Sequence, residues 1–483
     1  MRRHGMFATK SVAELTAGAA STRQLQRTLS VVSLTAIGIG SIIGTGIFVL
    51  TGTAAASHAG PALALSFVLA GFGCALAALC YAEFAAMVPV SGSAYSYAYA
   101  AFGEVIAWFI GWNLVLEYLF AVATVSIGWS GYVVSLLGQF GIHMPEALSL
   151  APYDRGPGGT GIVATGALLN VPAVLSVAAV TTICYVGIRE SSTINSVIVA
   201  VKIAVVAVFA LVGARHIDPA NWHPFIPPNT GNFGEFGWSG IFVASGIIVY
   251  AYIGFDAIST CAQEARDPQR DLPISILSSL GICTVLYMGT AIVLTGMVRY
   301  TDLNVAAPVA LALDRHAGLG WLGFLVKLGA IAGMTSVMLV MVVGQARIFM
   351  TMGADGLLPQ WFARIHPKFK TPANGTWLTG LAAAVMAGFL PLRILGELVS
   401  IGTLLAFTTV CLGVLVLRLK RPELHRPFRV PWPWLTCLGG AVACTAMILA
   451  LPRDTWIRLA IWTAIGLSIY GLYGYRSSRL RRP

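Results

Sequence analysis

Twelve stretches of this chain are apolar and long enough, or nearly so, to cross a hydrocarbon layer of ~30 Å. They lie near 30–52, 62–88, 104–137, 168–188, 191–213, 239–262, 273–297, 322–353, 376–390, 397–418, 433–451 and 456–475. Lipid offers backbone groups no hydrogen-bond partner, so a spanning chain must close its bonds within helices or within a sealed barrel. Runs of this length are helical runs. The expected fold is an all-α membrane protein with 12 transmembrane helices. Composition agrees: the 483 residues are 57% hydrophobic and only 10% charged, against about 25% charged in an ordinary soluble domain. A soluble enzyme, a disordered chain and a secreted disulfide scaffold are all excluded.

The formal charge of +11 does not indicate nucleic acid, because the basic residues are spread over many loops. With the N-terminal tail on the cytoplasmic side, 21 of the 30 Lys and Arg fall on that face and 7 on the other. Such a bias sets orientation, so both termini are expected in the cytoplasm. Lys202 and Lys327 fall inside spans. Residues 1–30 carry Glu14 among their arginines and no uninterrupted apolar run, so they are expected to be kept as a tail. The eight cysteines lie in apolar stretches without a C-x-x-C pair, and read as small buried hydrophobes. All eight histidines lie in tails, loops or loop edges, so neither haem nor a bound metal is expected. H-E-x-x-H, Walker A and G-x-S-x-G are absent. No cofactor is expected.

Two spans carry an internal interruption. The first reads Ile37-Gly38-Ile39-Gly40-Ser41-Ile42-Ile43-Gly44-Thr45-Gly46-Ile47-Phe48, and each glycine weakens a helix by about 1 kcal/mol relative to alanine. Small residues also serve close helix packing, but this density exceeds one contact motif, and a helix unwound in mid-membrane is expected. The sixth contains Tyr250-Ala251-Tyr252-Ile253-Gly254-Phe255-Asp256-Ala257. Five spans separate the two, and five is odd, so the second copy is inverted. Paired interruptions in inverted halves point to a transporter's binding site. Unwound backbone presents amides on one side and carbonyls on the other, which suit a carboxylate and an ammonium group respectively.

Ionisable groups inside spans are the remaining candidates. Lys202 sits at the middle of 191–213, roughly 16 Å from either end, too deep to snorkel comfortably to an interface. It reads either as a fixed cation holding carbonyls of an unwound neighbour or as a proton carrier. Glu117 lies mid-span with Asn113 one turn earlier on the same face. Asp256, on the sixth interruption, is placed to cap the restarted half-helix. Met338 and Met341 are placed to line a pocket or to pack. Glu83, Glu104 and Lys327 lie near span ends and read as interfacial or packing groups.

Through these two interrupted segments and six further strings, the chain resembles the cationic amino acid transporter family of the amino acid–polyamine–organocation superfamily. The resemblance runs from about Leu29 to Tyr475 and rests on GIGSIIGTGIFVLTG (38–52), HAGPALALSF (58–67), LCYAEFAAMVPVSGSAYSYAYAAFGE (79–104), AYIGFDAIST (251–260), ARDPQRDLP (265–273), DGLLP (355–359), IGTLLAF (401–407) and FRVPWPW (428–434). It implies an inverted five-plus-five-helix fold of leucine-transporter type followed by two further helices. It places a substrate carboxylate against amides around Thr45 and Gly46, with Ile42 and Gly44 adjoining, and an amino group against carbonyls of Tyr250, Ala251 and Ile253. Lys202 matches the lysine of proton-coupled relatives, and Glu117 a carboxylate bordering the pocket. The chain departs from the pattern at Asn113 and Gln263, where compared members carry Asp and Glu.

The expectation is a proton-coupled symporter of amino acids working by alternating access. Its divisions are a cytoplasmic tail (1–29), a first repeat (30–213), an extracellular loop (214–238), an inverted repeat (239–418), helices 11 and 12 (419–475) and a cytoplasmic tail (476–483). Its partners are an amino acid, protons and the lipid bilayer of a bacterial cytoplasmic membrane. Obligate amino acid/amine exchange and a non-transporting amino-acid sensor are the alternatives.

Overall fold

A computed structural model of the chain describes residues 6–12, 14–15, 28–90, 92–155, 162–187 and 192–480. Most of the 1–29 tail, with Arg2, Arg3, Arg23 and Arg27, lies outside the described residues, as do Arg189, Arg481 and Arg482.

Helix α1 (Val31–Ile42) begins at Ser30, whose hydroxyl accepts the Ser33 amide and so satisfies one of the first-turn donors. It stops at Ile43, where ψ opens to 98°. The chain resumes helical turns at Thr45 and runs through Gly46–Leu50, Thr51–Ala54 and Ala55–Ala59, two of them wide π turns. Gly60–Ala62 then leads into α2 (Leu63–Met87). Next come α3 (Ser93–Ala101) and α4 (Glu104–Gln139). A two-stranded antiparallel ribbon follows, β1 (Tyr153–Arg155) against β2 (Ile162–Ala164), which no sequence pattern predicts. The chain continues with α5 (Val171–Val186), α6 (Ser192–Gly213), α7 (Gly237–Ile248), α8 (Ala257–Thr260), α9 (Pro268–Met297), α10 (Pro308–Asp314) and α11 (Gly320–Ala354). It ends with α12 (Ala373–Phe389), α13 (Leu392–Lys420), α14 (Pro433–Ala450) and α15 (Arg453–Ile469).

Each expected apolar stretch is mostly helical over its described residues, but among the described residues nine helices are long and apolar enough to cross a membrane. The difference from twelve has three sources. Residues 31–87 run on as one apolar length, and α5 and α12 are short, at 16 and 17 residues. The interrupted segments sit at the centre, where α1 packs on α6, α9 and α11 and α4 packs on α11 and α13. Phe72, Val285, Leu381, Val442 and Leu472 on the outside are exposed. Large apolar side chains left exposed on so many helices suit a lipid-facing surface.

Ionisable groups near the helix ends are held by hydrogen bonds or opposite charges. Glu83 on α2 is 1% exposed and meets the guanidinium groups of Arg418 and Arg426, and it also accepts the Val430 amide at 2.8 Å. Glu104 accepts hydroxyl hydrogen bonds from Tyr99, Tyr470 and Ser478. Lys327 pairs with Asp314 at 2.8 Å. The packing role expected of these groups is what the contacts describe. Removing one partner of a buried pair strands the other. Glu83→Gln is therefore expected to lower stability by about 3 kcal/mol, read as a fall in the thermal unfolding midpoint in detergent, with Glu423→Gln on the exposed Arg421 pair as a near-silent control. All eight cysteines are free thiols, as their apolar setting suggested.

Candidate functional site

The first interruption lies at Ile43–Gly44. On the α1 side, the terminal carbonyls are already held. Lys202 Nζ donates to the carbonyls of Gly40 (2.7 Å) and Ile43 (3.3 Å) and to the Ser336 hydroxyl oxygen (3.3 Å), which uses all three ammonium hydrogens. Tyr287 donates its phenolic hydrogen to the Ile42 carbonyl at 2.8 Å. Lys202 is 1% exposed. It thus fastens α6 to the end of α1 and to α11, and Gly333 leaves room for its stem, since a Cβ there would lie 3.2 Å from Lys202 Cε. On the other side of the gap, Gly44, Thr45 and Gly46 open a new run of helical turns, and first-turn amides have no intrahelical acceptor. The helix dipole adds partial positive charge at the same place. One lip is therefore occupied by a cation and a phenol, while the other presents donors to an anion.

The second interruption follows α7. The chain tightens into a 3-10 turn at Val249–Tyr252, extends at Ile253 and turns at Gly254, whose φ of +119° favours glycine. Ser41 donates to the Gly254 carbonyl at 2.9 Å, joining the two interruptions directly. Gly46 makes the other join, because a Cβ on it would stand 2.3 Å from Ala251 Cα. Asp256 occupies the N-cap position of α8, yet its carboxylate braces the turn behind it, with Oδ1 accepting the Gly254 amide (3.2 Å) and Oδ2 the Tyr118 hydroxyl (2.6 Å). The bracing role replaces the simple cap that the sequence suggested.

Around these segments the Glu117 carboxyl group and the Tyr250 and Thr403 hydroxyls are buried without well-formed hydrogen bonds. Glu117 faces Asp256 and Thr403. Polar groups buried this deeply without ideal partners are rare in a native interior.

Not every expected residue joins the site. Asn113 turns back to donate to the Phe109 carbonyl of its own helix at 2.8 Å. Met338 places its sulfur 4.0 Å from Ser176 on α5, which makes it a packing contact there. Tyr250's carbonyl accepts the Ile253 amide at 3.3 Å, so one of its two lone pairs is already used. Met341 is buried. Ile42, Gly44, Thr45, Gly46, Ala251, Ile253, Lys202 and Asp256 lie on or against the two interruptions. Ser41, Tyr118, Tyr287, Ser336 and Thr403 were missed. Tyr118 and Thr403 stand beside residues that were singled out, but a hydroxyl in an apolar helix is common and nothing local marks which ones face the gap.

Comparison with known proteins identifies the family. A family described as amino acid permease matches residues 29–470. The chain is 45% identical over 477 residues to the methylthioribose transporter of Bacillus subtilis (strain 168), covering 99% of each chain. It is 44% identical over 478 residues to the branched-chain amino acid permease BcaP of the same organism, again over 99% of both. It is also 39% identical to the vacuolar cationic amino acid transporter 4 of Arabidopsis thaliana over 400 residues, which is 83% of this chain and 64% of that one. The chain belongs to the amino acid permease family of the amino acid–polyamine–organocation superfamily, and is a multi-pass membrane transporter.

Proposed function

We propose that this protein is a proton-coupled secondary transporter of amino acids that works by alternating access in a bacterial cytoplasmic membrane, with both termini in the cytoplasm. Its core is an inverted five-plus-five repeat over 30–213 and 239–418, with α14 and α15 appended as helices 11 and 12. The observation that carries the reading is the asymmetry of the first interruption: a buried ammonium closes the carbonyl lip and leaves the amide lip of Gly44–Gly46 for a carboxylate. The carbonyls of Ala251 and Ile253, with the free lone pair of Tyr250, receive the amino group, and Glu117 borders the side-chain end.

A substrate held at both charged ends bridges segments from two helices that differ in their neighbours. Each can tilt about its own gap without breaking a continuous hydrogen-bond ladder, since the ladder is already open there. Binding then lowers the cost of closing one face and opening the other. Lys202 couples the cycle to protons because its ammonium form holds α1 to α11 through Ser336, whereas the neutral amine has lost one donor and the charge that favours three oxygen acceptors.

The relatives' names span a branched-chain amino acid permease, cationic amino acid transporters and a methylthioribose transporter, so the side chain carried is the part to measure. A thermal-shift screen of the twenty amino acids and methylthioribose on the purified protein is the test. A ligand at 100 times its dissociation constant stabilises by about 2.7 kcal/mol. We expect at least one amino acid to raise the midpoint, with leucine and valine against arginine and lysine as the informative contrast. Stabilisation by methylthioribose and by none of the amino acids overturns the substrate assignment.

A further inference from the structure

Beyond the two interruptions, one histidine joins three elements at the far end of the first broken segment. His58 lies in the Ala55–Ala59 turn, is 7% exposed, and has both ring nitrogens engaged. Its Nδ1–H donates to the Gly234 carbonyl at 2.7 Å. Its Nε2 accepts from Arg393 Nη2 at 3.1 Å. Its own carbonyl accepts the Phe236 amide at 3.0 Å. Arg393 in turn donates to Glu397 at 3.4 Å, and Glu397 also holds Thr455 (2.7 Å) and Arg458 (3.3 Å) at the start of α15. The other charged neighbours are accounted for. Glu235, beside Gly234, accepts from Thr230 and Asn232. Asp302, on the Tyr300–Asp302 turn packed against Ala55–Ala59, pairs with Arg315 at 2.6 Å.

This geometry demands a neutral imidazole. A guanidinium can only donate, so Nε2 must offer a lone pair. A proton on Nε2 removes that acceptor and sets two cations about 3 Å apart. The Arg393–Glu397–Arg458 network does not need His58 and survives its departure. The weak join is therefore the one between the broken segment and α13.

From this we infer that His58 is a proton-released fastener of the outer gate: neutral, it holds the outer half of the first broken segment to α13 and to the 234–236 loop, and protonated, it lets that half swing away toward the outward-open state. The inference rests on the proposed alternating access and orientation. Linkage is reciprocal. A state that binds the proton poorly is disfavoured by acid, so acid outside favours opening, which is the facing in which a proton-driven importer must load. Burial, with the Arg393 guanidinium beside it, lowers the imidazole in the fastened state from its ordinary 6.5 to about 4, so the opening develops as pH falls below about 6.5 and is complete near about 4.

The test needs no transport. A reporter cysteine at Leu50, on the broken segment beside Gly396 of α13, is placed in full-length protein whose eight native cysteines are replaced by alanine, in proteoliposomes, and its alkylation by a membrane-impermeant maleimide, normalised to the thiolate fraction, is followed from about pH 8 to about pH 5.5. One linked proton changes the open-to-closed ratio by at most about tenfold per pH unit. We expect normalised alkylation to rise roughly five- to tenfold on acidification in the parent, and His58→Gln, whose amide can replace both hydrogen bonds but cannot titrate, to flatten the profile. Lys202→Ala in the same background is expected to keep the rise. An unchanged profile in His58→Gln, or no rise in the parent, overturns the fastener. Loss of the rise in Lys202→Ala alone implicates the coupling lysine and also counts against it. Failure of uptake with an intact pH profile counts instead against the transport reading.

Discussion

Replacing Lys202 with alanine is expected to abolish proton-driven accumulation while leaving some exchange. One pH unit across the membrane is worth about 1.4 kcal/mol per proton and sustains roughly tenfold accumulation at a stoichiometry of one. In proteoliposomes with an imposed gradient, the wild-type protein should approach that ratio and the variant should settle at equal concentrations inside and out. The reason is local. Lys202 holds Gly40, Ile43 and Ser336 with a single ammonium, and alanine supplies neither the charge nor the donors. The carbonyl lip is then open to water or a cation, and α1 loses its proton-dependent tie to α11. Counterflow of labelled substrate at a measurable rate shows that the variant is folded and inserted. Full accumulation with unchanged pH dependence contradicts the coupling role.

Gly46→Val is expected to weaken substrate binding by at least about a hundredfold, or about 2.7 kcal/mol. The first carbon of the new side chain would stand 2.3 Å from Ala251 Cα and 2.6 Å from Ala251 Cβ, well inside van der Waals contact. The two broken segments must move apart, and the amides and carbonyls that hold the two ends of the substrate separate with them. Gly281→Ala in α9 is the control: nothing lies within 4 Å of a Cβ there, and alanine gains about 1 kcal/mol of helix propensity. That variant should bind normally and melt slightly higher. Wild-type affinity in Gly46→Val removes the site assignment.

How much of this was legible in the sequence follows from the reach of each signal. The helices were readable because lipid imposes length and hydropathy on each span independently. The count was less so. Twelve apolar stretches can be read, but the helical run at 31–87 continues across Gly60, and α5 and α12 fall just short of a full span in length. The interruptions were readable because Gly38, Gly40, Gly44 and Gly46, and then Gly254 with Asp256, disturb apolar helix within a few residues. Lys202 was readable for its cost in mid-span. What it touches was not, because Gly40 and Ile43 are about 160 positions away and Ser336 lies further along another helix. The same limit hid Tyr287 on Ile42, Tyr118 on Asp256 and the His58–Arg393 contact. Helix neighbours are a property of packing, and hydropathy carries no record of them. Met338 shows the converse, since its face of α11 was ambiguous by period and its sulfur meets α5.

The measurement closest to the central claim is a density map of the full-length protein saturated with whichever amino acid raises the melting midpoint most. Carboxylate density within hydrogen-bond distance of the Thr45 and Gly46 amides, with the amino group toward Ala251 and Ile253, is the expected result. The same ligand lodged elsewhere, or α1 running unbroken through Ile43 and Gly44 while the ligand is bound, contradicts it.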